Sequence, residues 1–153
     1  MQPNTRTHST TTKTRWAGRI LSAIAVLFLT WDGVIKLMTI APVVEAFARL
    51  GYPVSLAVGI GAIQLACVAI YVIPRTSLLG AVLLTGYLGG AIATHVRVQD
   101  PFFSHVVFPI YVAALIWIGL LLRDASVRAL TRQAFAPRSP NAEAVPFNAL
   151  TSR

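Results

Sequence analysis

The chain has 153 residues, enough for one domain, and 56% of them are hydrophobic while only 12% are charged. Soluble domains contain roughly 45–50% apolar and about 25% charged residues, so this composition excludes an ordinary soluble globule and favours a membrane protein. The formal net charge of +8 raises nucleic acid as a partner. We exclude it, because the basic residues gather before the first apolar segment and after the last one, as they do in membrane proteins.

The first predicted element is a polar, threonine-rich N-terminal tail, residues 1–16, which we expect to be disordered. A membrane domain follows over residues 17–130, and a basic C-terminal tail over residues 131–153 is also expected to be disordered. The membrane domain contains four apolar segments, at about residues 19–39, 54–73, 78–95 and 106–122. A helix of about 20 residues crosses a hydrocarbon core of roughly 30 Å, and continuous apolar runs argue against strands. The sequence therefore predicts an all-α fold, a membrane-embedded bundle of four transmembrane helices.

The residues between and within these segments support that division. Turn-forming sequences stand at Gly51-Tyr52-Pro53, Pro74-Arg75 and Asp100-Pro101. The alternative for the first segment is a cleaved signal peptide, but the apolar run is followed by the bulky and charged sequence WDGVIKLM, which disfavours a cleavage site. The only cysteine, Cys67, excludes an intrachain disulfide and predicts a buried thiol that packs as a small hydrophobe.

The distribution of charge predicts the orientation. With four spans, the N-terminal tail, the turn at residues 74–77 and the C-terminal tail share one face and carry net charges of +4, +1 and +3. The basic and acidic residues of the opposite face cancel. Because Lys and Arg are enriched on the cytoplasmic side of membrane proteins, we predict a multi-pass protein of the inner (plasma) membrane with both termini in the cytoplasm.

Several ionisable and polar residues lie inside or beside the apolar segments, where a charge costs about 2.5–3.5 kcal/mol and so needs a partner or a function. Asp32 and Lys36 are four residues apart on one face of the first segment, in the order that favours a helical ion pair. The second and third segments bring further polar residues to a similar depth. The candidate ligand-binding residues are therefore Asp32, Lys36, Gln64, Tyr87, Thr94, His95, Arg97 and Asp100.

We predict that these groups converge on a polar pocket open to the outer side. The alternative is structural, with the Asp32–Lys36 pair holding two helices in register and His95 and its neighbours forming an interfacial loop. No His or Cys pair at ligand spacing lies within one segment, so we predict no metal site. We also expect no covalently bound cofactor, and no nucleophile–base pair identifies a catalytic residue.

Small residues recur in the third segment at the spacing of Gly86-xxx-Gly90 and Gly89-xxx-Ala93. Such pairs allow helix backbones to approach closely in membranes. We therefore expect these glycines to pack against neighbouring helices.

Three stretches resemble the DoxX-like family of small four-helix membrane proteins, over roughly residues 17–130. They are WDGVIKL in the first segment, IPRTSLLGAVLLTGYLGGAIATHVRVQDP around the third and WIGLLLRD at the end of the fourth. The family pattern matches Gly33, Lys36, Leu37, Gly80, Gly86, Tyr87, Gly90, Thr94, His95 and Arg97. One position departs from it, because Gln64 stands where such proteins often have a glutamate, and an amide cannot exchange protons.

The resemblance implies a membrane redox process, since the family takes its name from a small subunit associated with a thiosulfate:quinone oxidoreductase. We expect a small subunit that holds a quinone, a lipid-like molecule or a redox partner at the outer-side pocket. Asp32 and Lys36 would tune the pocket, while Tyr87, His95 and Arg97 would donate hydrogen bonds to the ligand.

The expected partners are the lipid bilayer, membrane or redox proteins and a second copy of this chain. Electrons would come from a partner, because the sequence carries no haem, flavin or iron–sulfur motif. Two alternatives stay open. The first is a non-catalytic scaffold that assembles a membrane complex, and the second is an autonomous membrane enzyme that uses Asp32 or His95 as an acid or base.

Overall fold

A computed structural model describes the backbone of residues 7–134 and the side chains of residues 12–134. Within this range the chain forms six α-helices and no strand, so the predicted all-α fold is confirmed. A π-helical turn, Phe102–Val106, precedes the fifth helix. The helices are α1 (Thr7–Leu37), α2 (Ala41–Arg49), α3 (Leu56–Val72), α4 (Ser77–Arg97), α5 (Phe108–Arg123) and α6 (Ala125–Ala134).

Three helical stretches are long and apolar enough to cross a membrane, namely Thr12–Leu37, Ser77–Arg97 and Phe102–Arg123. The predicted second segment is also an apolar helix, α3, but its 17 residues make it shorter than the others. Much of the outer surface is apolar, which suits contact with lipid tails and supports the prediction of a membrane protein. The outward-facing side chains include Leu27, Trp31, Ile63, Val82 and Ile110.

The helices α1, α3, α4 and α5 pack around one core, in which α1 and α4 each contact both α3 and α5. Contacts at two levels show that α1 and α5 run antiparallel. Gly18 lies against Gly119, and at the other level the rings of Phe28 and Phe108 meet edge to face with centroids 5.2 Å apart. The largest fully buried side chains are Leu29, Gln64, Tyr71, Leu84, Ile116 and Leu120.

The antiparallel packing places the described beginning of α1 and the end of α5 at the same end of the bundle. We call this the basic end and define it by Arg15, Arg19, Arg75 and Arg123. The opposite end, which we call the capped end, carries α2 and the π-helical turn. The two ends therefore differ in charge, and the polar residues of the candidate site lie towards the capped end.

Glycines permit the closest helix crossings, but not at the predicted positions. A Cβ atom on Gly80 would lie 2.3 Å from the backbone nitrogen of Tyr71, and one on Gly61 would lie 2.9 Å from the carbonyl oxygen of Gly33. By contrast, Gly86, Gly89 and Gly90 have no neighbouring atom within 4 Å of such a Cβ. The prediction that they pack against neighbouring helices of this chain is therefore wrong.

The physical reason is that spacing along one helix says nothing about which face meets another helix. Gly86, Gly89 and Gly90 share a helix with Gly80 but lie on its exposed side. Gly80 lies on the side that faces α3 and is buried there.

The N-terminal end of α1 differs from the sequence prediction. The helix begins at Thr7, so residues 7–16 of the predicted disordered tail are helical. Extending an existing helix adds one hydrogen bond per residue without a new nucleation step, which offsets the weak helix propensity of threonine. The predicted domain limits stay a prediction, and residues 1–6 and 135–153 lie outside the described residues.

The short helix α2 was not predicted, because its nine residues fall in the segment expected to be an outer turn. A proline in its first turn suits a helix start. Val43 and Phe47, four residues apart, bury one face of α2 against Ala57 of α3. Gly51, with φ of 72°, then turns the chain towards α3. The helix α2 thus packs against the beginning of α3 at this end of the bundle.

Candidate ligand-binding site

Gln64, on α3, is the centre of a hydrogen-bond network between three helices. Its Nε2 atom donates to the carbonyl oxygen of Leu29 and to Oδ2 of Asp32, both at 2.9 Å. Its Oε1 atom accepts from the hydroxyl of Tyr87 at 2.7 Å and from Nζ of Lys36 at 3.2 Å. An amide group has two N–H donors and two acceptor lone pairs, so this fully buried side chain uses its whole capacity.

The predicted ion pair between Asp32 and Lys36 is confirmed. Nζ of Lys36 donates to Oδ2 of Asp32 on the same face of α1. The side chains are only partly shielded, with 31% of Asp32 and 16% of Lys36 exposed. Gln64 bonds to both members, so the pair also joins α1 to α3.

A second cluster forms at the capped end around Asp100, whose side chain is 8% exposed. Nδ1 of His95 lies 2.6 Å from one carboxylate oxygen, and Nη1 of Arg49 lies 4.0 Å from the other. The hydrogen bond with His95 is the main cause of a lowered pKa of Asp100, and the positive charge of Arg49 acts in the same direction. Asp100 therefore remains an acceptor that holds the orientation of the imidazole.

The remaining predicted residues, Thr94 and Arg97, connect α4 to the segment after α2. The guanidinium of Arg97 donates to the carbonyl oxygen of Leu50 and lies 5.3 Å from the ring centroid of Tyr52. The hydroxyl groups of Tyr52 and Thr94 are 3.3 Å apart. These contacts hold the segment with Leu50 and Tyr52 against the end of α4.

Two cavities adjoin these clusters, on either side of α4. The larger has a volume of about 380 Å³ and lies between α4 and the wall formed by α2 and α3. Its lining is mostly apolar or aromatic and comprises Phe47, Leu50, Tyr52, Ile60, Gly86, Tyr87, Gly90, Ala91, Thr94 and His95.

The smaller cavity, of about 170 Å³, lies between α1, α4 and α5. Asp32 and Lys36 contribute its charged groups, and Tyr87, Ala91 and His95 belong to both cavities. The two residues proposed as acid or base for an autonomous enzyme, Asp32 and His95, thus share this cavity. Both already have hydrogen-bond partners. Asp32 accepts from Lys36 and from Gln64, and His95 is hydrogen-bonded to Asp100.

The structure therefore brings the eight predicted residues to two neighbouring cavities instead of one pocket. Tyr87, Thr94 and His95 line the larger cavity, while Asp32 and Lys36 line the smaller one. Gln64 and Asp100 hydrogen-bond to these side chains, whereas Arg97 donates to the carbonyl oxygen of Leu50. Their role in binding a ligand stays a prediction.

Sequence reasoning missed the aromatic wall of the larger cavity, formed by Phe47 and Tyr52. The available signal was the four-residue spacing of Val43 and Phe47 in a segment with polar neighbours, which is typical of a short amphipathic helix. It also missed the network of Tyr71 near the basic end, whose hydroxyl donates to the carbonyl oxygen of Ile116 and lies 2.9 Å from the hydroxyl of Ser22. A tyrosine within an apolar segment predicts such a partner.

Metal ligation has no support in the part of the chain from residue 12 to residue 134. No group of three or more His, Cys, Asp or Glu residues lies close enough there to hold a metal ion. His95 and His105 are neighbours, with ring centroids 5.4 Å apart. Nδ1 of His105 lies 2.7 Å from the hydroxyl of Ser104.

Comparison with known proteins supports the resemblance. Residues 20–119, well over half of the chain, match the DoxX-like family. The chain belongs to the DoxX-like family. No curated protein and no solved structure matches it.

The residues that carry the DoxX-like resemblance have distinct positions in the structure. Gly33 and Gly80 lie at close helix crossings, whereas Gly86 and Gly90 line the larger cavity together with three polar residues of α4. These three polar residues are Tyr87, Thr94 and His95. The motif of the third segment therefore contains one glycine that packs against α3 and several residues that line a cavity.

The departure at Gln64 also has a physical explanation. An ionised glutamate in this position could not donate to Leu29 or Asp32, and its charge would face that of Asp32. In this DoxX-like protein the carboxylate of the network is on α1, at Asp32, and the amide on α3 is complementary to it.

Proposed function

We propose that this DoxX-like protein is a four-span membrane subunit that holds the ring of a quinone, or of a closely similar lipid, in the larger cavity for a redox partner protein. The observation that carries the proposal is the shape and lining of that cavity. Its volume of about 380 Å³ falls within the range of small-molecule sites, about 300–1,000 Å³. Its walls suit a flat apolar ring with a few polar substituents.

One wall of the cavity is aromatic, and α4 contributes two glycines to the lining beside its polar residues. Phe47 and Tyr52 belong to the wall beside α2, and Gly86 and Gly90 belong to α4. The open space beside both glycines leaves a flat backbone surface, and both are exposed at the side of the bundle. We infer that the ligand enters sideways from the bilayer and that its apolar tail stays among the lipid chains.

Polar groups lie at the capped end of this cavity, where a quinone carbonyl would be held. The hydroxyl groups of Tyr52 and Thr94 face each other, and His95 lies one residue further along α4. Because Nδ1 of His95 is used by Asp100, Nε2 is the ring nitrogen that is free for a ligand. These side chains would bind and orient the ring, while electrons would pass through a partner that carries a redox cofactor.

The four-span arrangement rests on length and charge. A helix of 17 residues, such as α3, lies at the lower limit of what crosses a bilayer, and a short span is accommodated by local thinning. Within residues 12–134 the unbalanced positive charge lies at the basic end, because the basic and acidic residues towards the capped end cancel. We therefore place this end, with both termini, in the cytoplasm, and the cavities towards the outer side of the inner membrane.

The test compares two adjacent glycines of α4. Gly90 lines the cavity and Gly89 does not, yet both are exposed and have open space around them. Gly90→Leu should fill the cavity and reduce the co-purifying quinone at least about tenfold, which corresponds to a loss of about 1.4 kcal/mol of binding free energy. Gly89→Leu should keep the wild-type amount. Both variants should unfold at or above the wild-type temperature, because leucine favours the helix more than glycine does.

The measurement is mass spectrometry of lipids extracted from protein purified in mild detergent, together with a thermal melt. Wild-type protein without a quinone, or Gly90→Leu with an unchanged quinone content, would contradict the proposal. The scaffold alternative has support in the open face around Gly89 and Ala93, which another helix could cover. It predicts that Gly89→Leu loses a co-purifying protein while the quinone content of Gly90→Leu stays at the wild-type value.

A further inference from the structure

The basic end carries a concentration of positive charge that the quinone site does not use. Arg15 and Arg19 extend from α1, Arg75 lies in the turn between α3 and α4, and Arg128 and Arg132 belong to α6. Gly18 of α1 lies against the backbone of Arg123 at the end of α5, which brings α1 and the α5–α6 junction to one level. Together these residues form a basic surface around one end of the bundle.

Carboxylates do not neutralise this surface within residues 12–134. The described ion pairs all lie towards the capped end, at Lys36, Arg49 and His95. The one acidic residue of the basic end in this range, Asp124, serves a different purpose. Its Oδ1 accepts from the backbone nitrogen of Ser126 at 2.9 Å and so caps the first turn of α6.

The helix α6 has the features of a helix that lies in the surface of a membrane. Asp124, with extended backbone, separates it from α5, so α6 does not continue the direction of the membrane helix. Val127 is buried in the core and anchors it. Leu130, one turn further on the same side, is 55% exposed, and Arg132 is exposed as well. An apolar stripe beside arginines is typical of interfacial helices.

The first helix offers an aromatic side chain at the same end. Trp16 is 59% exposed and stands between Arg15 and the contact of Gly18 with α5. Exposed tryptophan at the end of a membrane helix is typical of the lipid headgroup region. Trp16 therefore places the headgroup layer at the level of Arg123, which is also the level where α6 begins.

We propose that α6 lies in this headgroup layer and binds anionic phospholipids through Arg128 and Arg132, with Leu130 inserted between the acyl chains. The guanidinium group matches the phosphodiester in charge and in hydrogen-bond geometry. Arg128 already donates to the carbonyl oxygen of Leu122 at 3.0 Å, which fixes its position at the start of α6. Arg132 lies one turn further along and extends the lipid-binding surface.

The experiment measures hydrogen–deuterium exchange of the backbone amides of residues 127–134 in two kinds of vesicle. One contains phosphatidylcholine alone and the other an equal mixture of phosphatidylcholine and phosphatidylglycerol. In the wild type these amides should exchange about tenfold more slowly in the mixture, since each arginine near an anionic surface adds a favourable increment. The double variant Arg128→Gln/Arg132→Gln should show no difference between the two vesicles.

Two further variants separate lipid binding from folding of α6. Gln133→Ala, on the same helix and uncharged, should keep the wild-type response. Arg132→Gln leaves the hydrogen bond of Arg128 to Leu122 intact and should reduce the response to about threefold. Amides of α5 should exchange at the same rate in every variant.

Equal exchange of the wild type in both vesicles would overturn the proposal, as would a response that persists in the double variant. Inorganic phosphate added to phosphatidylcholine vesicles should have no effect. If it reproduced the slower exchange, the surface would bind free anions and not lipid, and the proposal would fail. None of these outcomes depends on the quinone content of the larger cavity.

Discussion

At the scale of single residues, the most informative side chain is the buried amide of Gln64. It matches four partners on two other helices, and two of them, Asp32 and Lys36, carry opposite charges. A buried polar side chain at this position is tolerated only while its donors and acceptors are all hydrogen-bonded, because an unsatisfied buried group costs about 1–3 kcal/mol. The network therefore makes the packing of α1, α3 and α4 specific as well as supporting the wall of both cavities.

Exchanging the amide and the carboxylate tests this account. Gln64→Glu places two carboxylates face to face and removes both donors, so we expect a loss of roughly 3–5 kcal/mol of unfolding free energy. Adding Asp32→Asn restores one amide and one carboxylate, both within reach of Lys36, and should recover a large part of that loss. The unfolding free energies of the wild type, the two single variants and the double variant are measured in detergent by circular dichroism. Additive losses in the double variant would contradict direct contact between the two positions.

At the scale of the helices, α4 has two faces with different tasks. The face with Gly80 packs against Tyr71 of α3, where an added Cβ would meet backbone atoms that cannot move aside. The face with Gly86 and Gly90 leaves space and lines the larger cavity. Next to Gly86 in the chain, the hydroxyl group of Thr85 accepts from the indole of Trp117 at 2.9 Å and joins α4 to α5. The same helix thus has close packing on one face and open space on another.

A pair of alanine substitutions on α4 tests this division. Gly80→Ala should destabilise the protein by about 1–3 kcal/mol or more, because it overpacks the contact with α3. Gly86→Ala adds the same atom to open space and should stabilise the helix by up to about 1 kcal/mol. Thermal melts in one detergent compare the two variants directly. Equal effects of the two substitutions would show that the crossing of α3 and α4 at Gly80 is not as close as the structure gives it.

At the scale of the whole molecule, the two ends of the bundle differ in chemistry. Within residues 12–134, the arginines of the basic end form no ion pair with a carboxylate, whereas at the capped end basic and acidic side chains are paired. This polarity follows from the sequence, because an even number of antiparallel helices returns the chain to its starting side. We propose that the basic end contacts the lipid surface and that the capped end holds the ligand.

The topology can be tested with single cysteines in a Cys67→Ala background. We expect Ala129→Cys, on α6, to react with a membrane-impermeant maleimide only after the cells are opened. Glu45→Cys, on the exposed side of α2, should react in intact cells. The expectation rests on the enrichment of Lys and Arg on the cytoplasmic side. The reverse pattern of labelling, or labelling of both positions from the same side, would contradict the proposed four-span arrangement.

The sequence alone determined the class of protein, the four helical segments and the Asp32–Lys36 pair. These features depend on local properties, namely the hydropathy of about 20 consecutive residues and the position of side chains four residues apart on one helix. It also predicted that polar residues of α4 lie near those of the first two segments, and Tyr87 of α4 does hydrogen-bond to Gln64. The family pattern further singled out Tyr87, Thr94 and His95, which line the larger cavity.

Only the tertiary structure decided which helix faces meet. It assigned close packing to Gly80 and open space to Gly90, although both are glycines of one apolar helix. It added the α2 wall with Phe47, and it divided the predicted site into two cavities. It also showed why Gln64 is an amide, since its partners lie on helices 23 to 35 residues away in the chain. Such contacts depend on the rotation of each helix against its neighbours, which the pattern along a single segment does not contain.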